Sequence, residues 1–265
     1  MVVLKEMKLP KSLNCERTGD LAILRLARPE KRNAINLETL LGIKCFFQAL
    51  SDEIKGVVIT GTGEHFSAGL DLSELAETDA PGGMMHSREW HEVFHLVQYA
   101  RVPVVAVLHG AVVGAGLELA SAAHIRVAEA SAFYALPEGQ RGIFLGGGGS
   151  MRLSRLVGVA RVMDLMMTGR TLNAQDGYLF GFSQYVVDPG QGLSTGIDVA
   201  TRASGNAPLS NFAIIHGLPR IAEMSPEDGL LTEALLTGVV QSSAEAKERL
   251  IGFLQKRTEK VKRPT

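Results

Sequence analysis

Short aliphatic runs at 21–27, 55–60 and 104–108 alternate with longer stretches whose apolar residues recur every three or four positions. A run such as "KGVVIT" is too short for a helix and too uniformly apolar for a strand with one wet face, so it predicts strands covered on both sides. Between the first two runs, Ile35, Leu37, Leu40, Leu41, Ile43, Phe46, Phe47 and Leu50 predict an amphipathic helix over 34–50 with Asn36 as its cap. Trp90, Val93, Phe94 and Val97 form a second helical stripe. Strands delivered by intervening helices favour an α/β architecture with partly parallel sheets over an all-β sandwich. The segment 81–85, with Pro81 and a glycine pair, reads as a mobile loop.

Beyond residue 150 the texture changes. Segments 153–167, 174–180, 192–203, 209–224, 226–240 and 244–257 all read as helices, with one short strand at 185–187. No period of 20–50 residues recurs, which disfavours a solenoid. Twenty-seven Lys and Arg against 28 Asp and Glu leave no global basic excess for nucleic acid or an anionic membrane. The amino terminus lacks the apolar core of a secretory signal, and no apolar run reaches spanning length. Cys15 and Cys45 allow at most one disulfide and no zinc spacing. These features predict a soluble cytoplasmic protein.

Glycine is in excess, 29 of 265 residues, and it falls in clusters at predicted turns. Gly110, Gly114 and Gly116 follow the third strand, so a helix starting near 114–115 would present unpaired N–H groups to an anion. Tight strand-to-helix packing explains the same glycines. Ala68-Gly69-Leu70 forms another such turn, and two turns aimed at one point would clamp a carbonyl oxygen as it gains charge. Gly146 to Gly149 precede a helix that Ser150 is placed to cap. Glu118 and Glu138 each sit in apolar surroundings that raise a carboxyl pKa; capping, or pairing with Arg126 or Arg141, is the structural alternative. His86, His91 and His95 lack an HExxH pattern, so no metal is expected, and Ser67, Ser73 and Ser121 lack a nucleophile elbow. Met163, Met166 and Met167 read as core or subunit-contact residues. The basic end around Lys256 reads as a solvated tail or a local phosphate contact.

Five blocks, "RPEKRNAIN", "FSAGLDL", "GAVVGAGLELASAAHIRVAEASAFYALPE", "GGGGSMRLSRLVG" and "MTGRTLNAQDGYLFG", resemble in order and spacing the crotonase (enoyl-CoA hydratase/isomerase) superfamily. The resemblance implies a crotonase-like spiral of ββα units over 1–200 with a helical assembly and CoA-contacting region over 201–265. It implies a homotrimer or a hexamer built from two trimers. No prosthetic group is implied; coenzyme A enters as part of an acyl-CoA thioester substrate. The N–H groups of Leu70 and Ala115 match the oxyanion hole, with Ala115 in place of the usual glycine. Glu118 matches the residue that activates water, and Glu138 the one that exchanges the α-proton. Lys31, Arg32 and the Ala68 carbonyl fall in CoA-contacting positions, as do Phe253 and Lys256 of the terminal helix. The implied reaction is hydration of a 2-enoyl-CoA to a 3-hydroxyacyl-CoA. Isomerisation, thioester hydrolysis and a non-catalytic CoA-binding subunit are the competing readings. The "PEGQRGIFLGGGGS" block, "GFSQYVVD" and "NAPLSNFAIIHGLPRIAE" resemble methylthioacryloyl-CoA hydratases in particular, some of which also hydrolyse the thioester.

Overall fold

The computed structural model describes residues 9–74 and 79–255, and the chain divides into two compact units, Met1–Ala203 and Ser204–Thr265. The elements of the first unit are, in chain order, β1 (Leu13–Thr18), β2 (Leu21–Leu26), α1 (Leu37–Gln48), β3 (Gly56–Gly61), α2 (Ala80–Gln98), β4 (Val104–Leu108) and β5 (Ala111–Val113). There follow α3 (Ala115–Ala122), β6 (Ile125–Glu129), β7 (Phe133–Ala135), α4 (Gly149–Val157), α5 (Val159–Thr168), β8 (Leu172–Asn173), α6 (Ala174–Phe180), β9 (Tyr185–Val187) and α7 (Gly192–Ser204).

Six strands form one sheet in the order β1-β2-β3-β4-β6-β9, antiparallel only at the β1–β2 hairpin. The strands β5, β7 and β8 form a second, smaller sheet, so the chain repeatedly pairs one strand in each sheet before a helix returns. This is the crotonase-like spiral of ββα units followed by a helical region. Strands β2, β3 and β4 of the larger sheet are buried on both faces, which is why they read as continuous apolar runs. Ala22, Leu24, Leu26, Val57 and Ile59 join one core with Phe46 of α1 and Phe94 of α2. Leu21, Ile23, Val58, Val105 and Val107 join the other with Val199 and Ala200 of α7. Gly196 lets α7 approach closely, since a Cβ there would lie 2.3 Å from Val107 Cγ2.

Local signals explain most boundaries. Asn36 accepts a hydrogen bond from Thr39 N–H and so caps α1, a contribution of about 1 kcal/mol. The segment 81–85 is the first turn of α2 rather than a loop: Asp79 caps it through Gly82 N–H, and proline needs no N–H at that end. The single helix expected over 153–167 is two, broken at Gly158, whose φ is +87°. Helix α4 begins at Gly149 behind Gly148, so Ser150 lies inside it and does not cap it. Met163 and Met167 face outward, whereas Met166 packs against the core.

The second unit contains α8 (Pro208–Phe212), a π-helical turn at Ala213–Gly217, α9 (Leu218–Ile221), α10 (Pro226–Ser242) and α11 (Ala244–Leu254). The helix expected over 209–224 is thus interrupted. Among the described residues no helix is long and apolar enough to cross a membrane. Cys15 and Cys45 are both free thiols.

Candidate active site

Two turns that sequence could not connect meet beside α3. Asn33 begins the first: its buried side chain donates to the Thr62 and His65 carbonyls, and its own carbonyl accepts from Ser67 Oγ. Arg28 ties the same loop down through an ion pair with Asp71, 2.8 Å. Ser73 and then Arg28 hold the Asp71 carboxyl at about 2, well below its ordinary value. Leu70 bridges to Ile35, whose N–H and C=O bond to Gly69 and Asp71 on either side. That leaves the Leu70 N–H turned the other way, with no partner among the described residues.

The second turn is the start of α3. Gly114, with φ +52°, precedes it, and Ala115 is its first residue, whose N–H has no carbonyl four residues back to meet. Gly69, with φ +98°, lies against this turn. A Cβ on Gly69 would stand 2.8 Å from the Val113 carbonyl oxygen and 3.4 Å from Ala115 N. The two unpaired donors, Leu70 N–H and Ala115 N–H, therefore line one cavity of about 900 Å³.

Both carboxylates predicted from sequence line that cavity too. Glu118, in the first turns of α3, is 3% exposed, and its Oε1 accepts from Gly147 N–H at 2.9 Å and Gly149 N–H at 2.7 Å. Burial raises its pKa; the two N–H groups and the Arg152 guanidinium act against the rise. Glu138 follows β7 and opens a short helical turn, Gly139–Arg141. Its Oε2 is buried without a hydrogen-bond partner, and burial, with a smaller push from Glu118, lifts its pKa to about 7. Gly114 makes room for it, because a Cβ there would stand 2.7 Å from Glu138 Oε1. Neither carboxylate forms an ion pair with Arg126 or Arg141 among the described residues; Arg126 donates instead to the Ala123 and Phe182 carbonyls. Two buried carboxyl groups with different hydrogen-bond partners thus line the same cavity as two unpaired N–H donors, an arrangement fit for moving a proton next to a polarised carbonyl.

The remaining predicted positions fall differently. Ala68 lines the cavity, and its N–H bonds the Arg32 carbonyl at 2.9 Å, which staples the Lys31–Arg32 segment to the site's edge. Phe253 lies exposed on α11, and Lys256 lies outside the described residues. Sequence reasoning missed the wall supplied by α2, where Ser87, Trp90 and His91 face the cavity opposite Ile143, Phe144 and Leu145. In the sequence Trp90 belongs to a helical stripe and His91 to a histidine cluster, and neither signal points to a cavity. Among the described residues no three His, Cys, Asp or Glu are grouped to hold a metal.

Comparisons with known proteins agree with this geometry. A family model described as enoyl-CoA hydratase/isomerase matches residues 16–263. The short-chain-enoyl-CoA hydratase of Clostridium acetobutylicum is 30% identical over 245 residues, covering 91% of this chain and 94% of that one. The 2,3-dehydroadipyl-CoA hydratase of Escherichia coli is 31% identical over 89% and 92% of the two chains. A crystal structure of a candidate enoyl-CoA hydratase from Rhodopseudomonas palustris superposes with a TM-score of 0.91 at 54% identity, covering 94% and 97%. The chain is an enzyme, a hydro-lyase acting on coenzyme A thioesters, and it belongs to the enoyl-CoA hydratase/isomerase family of the crotonase superfamily.

Proposed function

We propose that this enzyme adds water across the double bond of a 2-enoyl-CoA, giving a 3-hydroxyacyl-CoA. The observation that carries the reading is the meeting of two unpaired N–H donors with two buried carboxylates in one cavity. The thioester oxygen sits between Leu70 N–H and Ala115 N–H, which stabilise the enolate charge as it develops. Glu118, its ionised form held by two backbone donors and favoured by Arg152, takes a proton from the water whose oxygen bonds to C3. Glu138, kept partly protonated near neutrality, gives its proton to C2. No prosthetic group takes part. Lys31, Arg32 and the Ala68 carbonyl hold the CoA moiety, and Phe253 and Lys256 are the further CoA contacts that the family pattern assigns.

Within that class the substrate we favour is 3-methylthioacryloyl-CoA, on the strength of the residue blocks around 137–150, 181–188 and 206–223. Thioester hydrolysis after hydration is part of the same proposal. We further propose that residues 1–200 form the catalytic spiral and 201–265 the assembly and CoA-contacting region of a cytoplasmic homotrimer or dimer of trimers. The exposed Leu230, Leu231, Leu235 and Val239 on α10 support assembly, since a face of that size is seldom left to water.

The test is turnover of crotonyl-CoA and 3-methylthioacryloyl-CoA in heavy-oxygen water with mass analysis of the products. Label at C3 alone is expected for hydration; labelled free acid with free CoA marks the hydrolytic step. Conversion of a 3-enoyl-CoA without label would assign an isomerase, and no turnover of any of these would overturn the reading. Glu138→Gln should abolish exchange of the α-proton. Glu118→Gln should stop water addition, each falling by about 1,000-fold or more.

A further inference from the structure

The loop Gly146 to Gly149 supplies both backbone donors to Glu118, so whatever fixes its peptide planes sets the strength of that base. The peptide joining Gly146 to Gly147 is engaged at both ends. Its N–H donates to Glu118 Oε1, and its carbonyl, on the opposite edge of the same plane, accepts from Ser87 Oγ at 2.7 Å. A hydroxyl has one proton to give. With that proton on Gly146 O, the 3.2 Å contact between Ser87 Oγ and His91 Nε2 is a bond donated by the imidazole, which selects its Nε2–H form.

We infer that Ser87, oriented by His91, is a positioning residue for the catalytic base: a chain of hydrogen bonds runs from His91 through Ser87 and the Gly146–Gly147 peptide to Glu118. Each link polarises the next, so the Gly147 N–H is a stronger donor to the ionised carboxylate than it would be alone. Arg152 secures the adjoining peptide in the same sense. Its Nη1 donates to Gly147 O at 2.8 Å, its Nε is held by Gln98 Oε1 at 2.7 Å, and its N–H bonds Gly148 O. The glycine-rich run is therefore held through its carbonyls from α2 and α4, with the Gly147 and Gly149 N–H groups donating to Glu118. The role of glycine here is space: a Cβ on Gly149 would stand 2.6 Å from Glu118 Cγ.

The charged groups facing Glu118 are Glu138 from the turn after β7, Arg152 from α4 and, through the relay, His91 with Arg88 beside it on α2. Partial desolvation first, then Arg152 and Arg88, lower the pKa of His91, and its own contact with the Gly146 backbone acts in the other direction.

This inference rests on Glu118 acting as the base in the hydration proposed above, and the experiment separates the two. Glu118 ionisation is followed by infrared difference spectra against Glu118→Gln, alongside the pH profile of kcat with crotonyl-CoA. In Ser87→Ala, kcat should fall by about tenfold with KM little changed. The acid limb of the profile and the Glu118 titration should both move to higher pH. Ser87→Thr should restore both, because it returns the hydroxyl, and calorimetric Tm should stay within about 2 °C of the wild type in each variant. An unmoved Glu118 titration in Ser87→Ala overturns the relay, even where hydration itself is intact. A moved titration in a protein without hydratase turnover retains the relay and removes the proposed reaction instead.

Discussion

Glu138 occupies an environment that costs the fold stability. Its carboxyl is buried with one oxygen unpartnered, and its pKa rises from 4.5 to about 7. Between those values the folded chain holds a proton that the unfolded chain has released, so stability declines as pH rises through this window and the full penalty is present above it. A gap of that size corresponds to about 3–4 kcal/mol at most. Glu138→Gln is therefore expected to be more stable than the wild type in urea unfolding at pH 8, with the advantage fading as pH falls from about 7 to 4.5. An equal urea midpoint for the two proteins at pH 8 would contradict this origin of the shift. Suspicion of both carboxylates was available from sequence, since each interrupts an apolar stretch. Their unequal partners were not, because the Gly147 and Gly149 donors come from about 30 residues away.

At the scale of elements, the site depends on how closely the turn before Leu70 approaches the start of α3. Gly69 has a backbone conformation that an L side chain adopts only with strain, and any Cβ would press on the Val113 carbonyl. Gly69→Ala is expected to cost about 1–3 kcal/mol in unfolding free energy. By moving Leu70 N–H away from Ala115 N–H it should also lower kcat on crotonyl-CoA by about 100-fold, the loss of one oxyanion donor, with a smaller change in KM. A kcat within a fewfold of wild type would place the oxyanion donors elsewhere. The strands β2, β3 and β4 and the stripe of α2 were legible because burial on two faces, or on one helical stripe, leaves a trace in the sequence. The strands β5, β7 and β8 have two or three residues each and leave none. The first turn of α2 was misread because proline and paired glycines usually mark loops; the Asp79 cap and the tolerance of a helix start for proline reverse that signal.

For the whole molecule, the outward-facing leucines of α10 have no role within one chain that their exposure explains. If the proposed trimer or hexamer forms through this helix, Leu235→Lys with Val239→Lys should shift the sedimentation coefficient toward a monomer while leaving the circular dichroism spectrum in place. An unchanged assembly would locate the subunit contact on another face. The sequence by itself determined the doubly covered parallel strands, the helical end and the identity of both carboxylates, because burial pattern and glycine position are local properties of the chain. Only the tertiary structure decided that the Ala68–Leu70 turn meets the start of α3, that α2 walls the cavity and that the run Gly146 to Gly149 grips Glu118. Those are contacts between segments far apart in the chain, and the spacing of residues along one segment carries no information about which other segment will face it. The glycine excess follows the same division: composition implies that backbone freedom is needed somewhere, and packing places it at Gly69, Gly114 and Gly149, where a Cβ would meet Val113, Glu138 and Glu118.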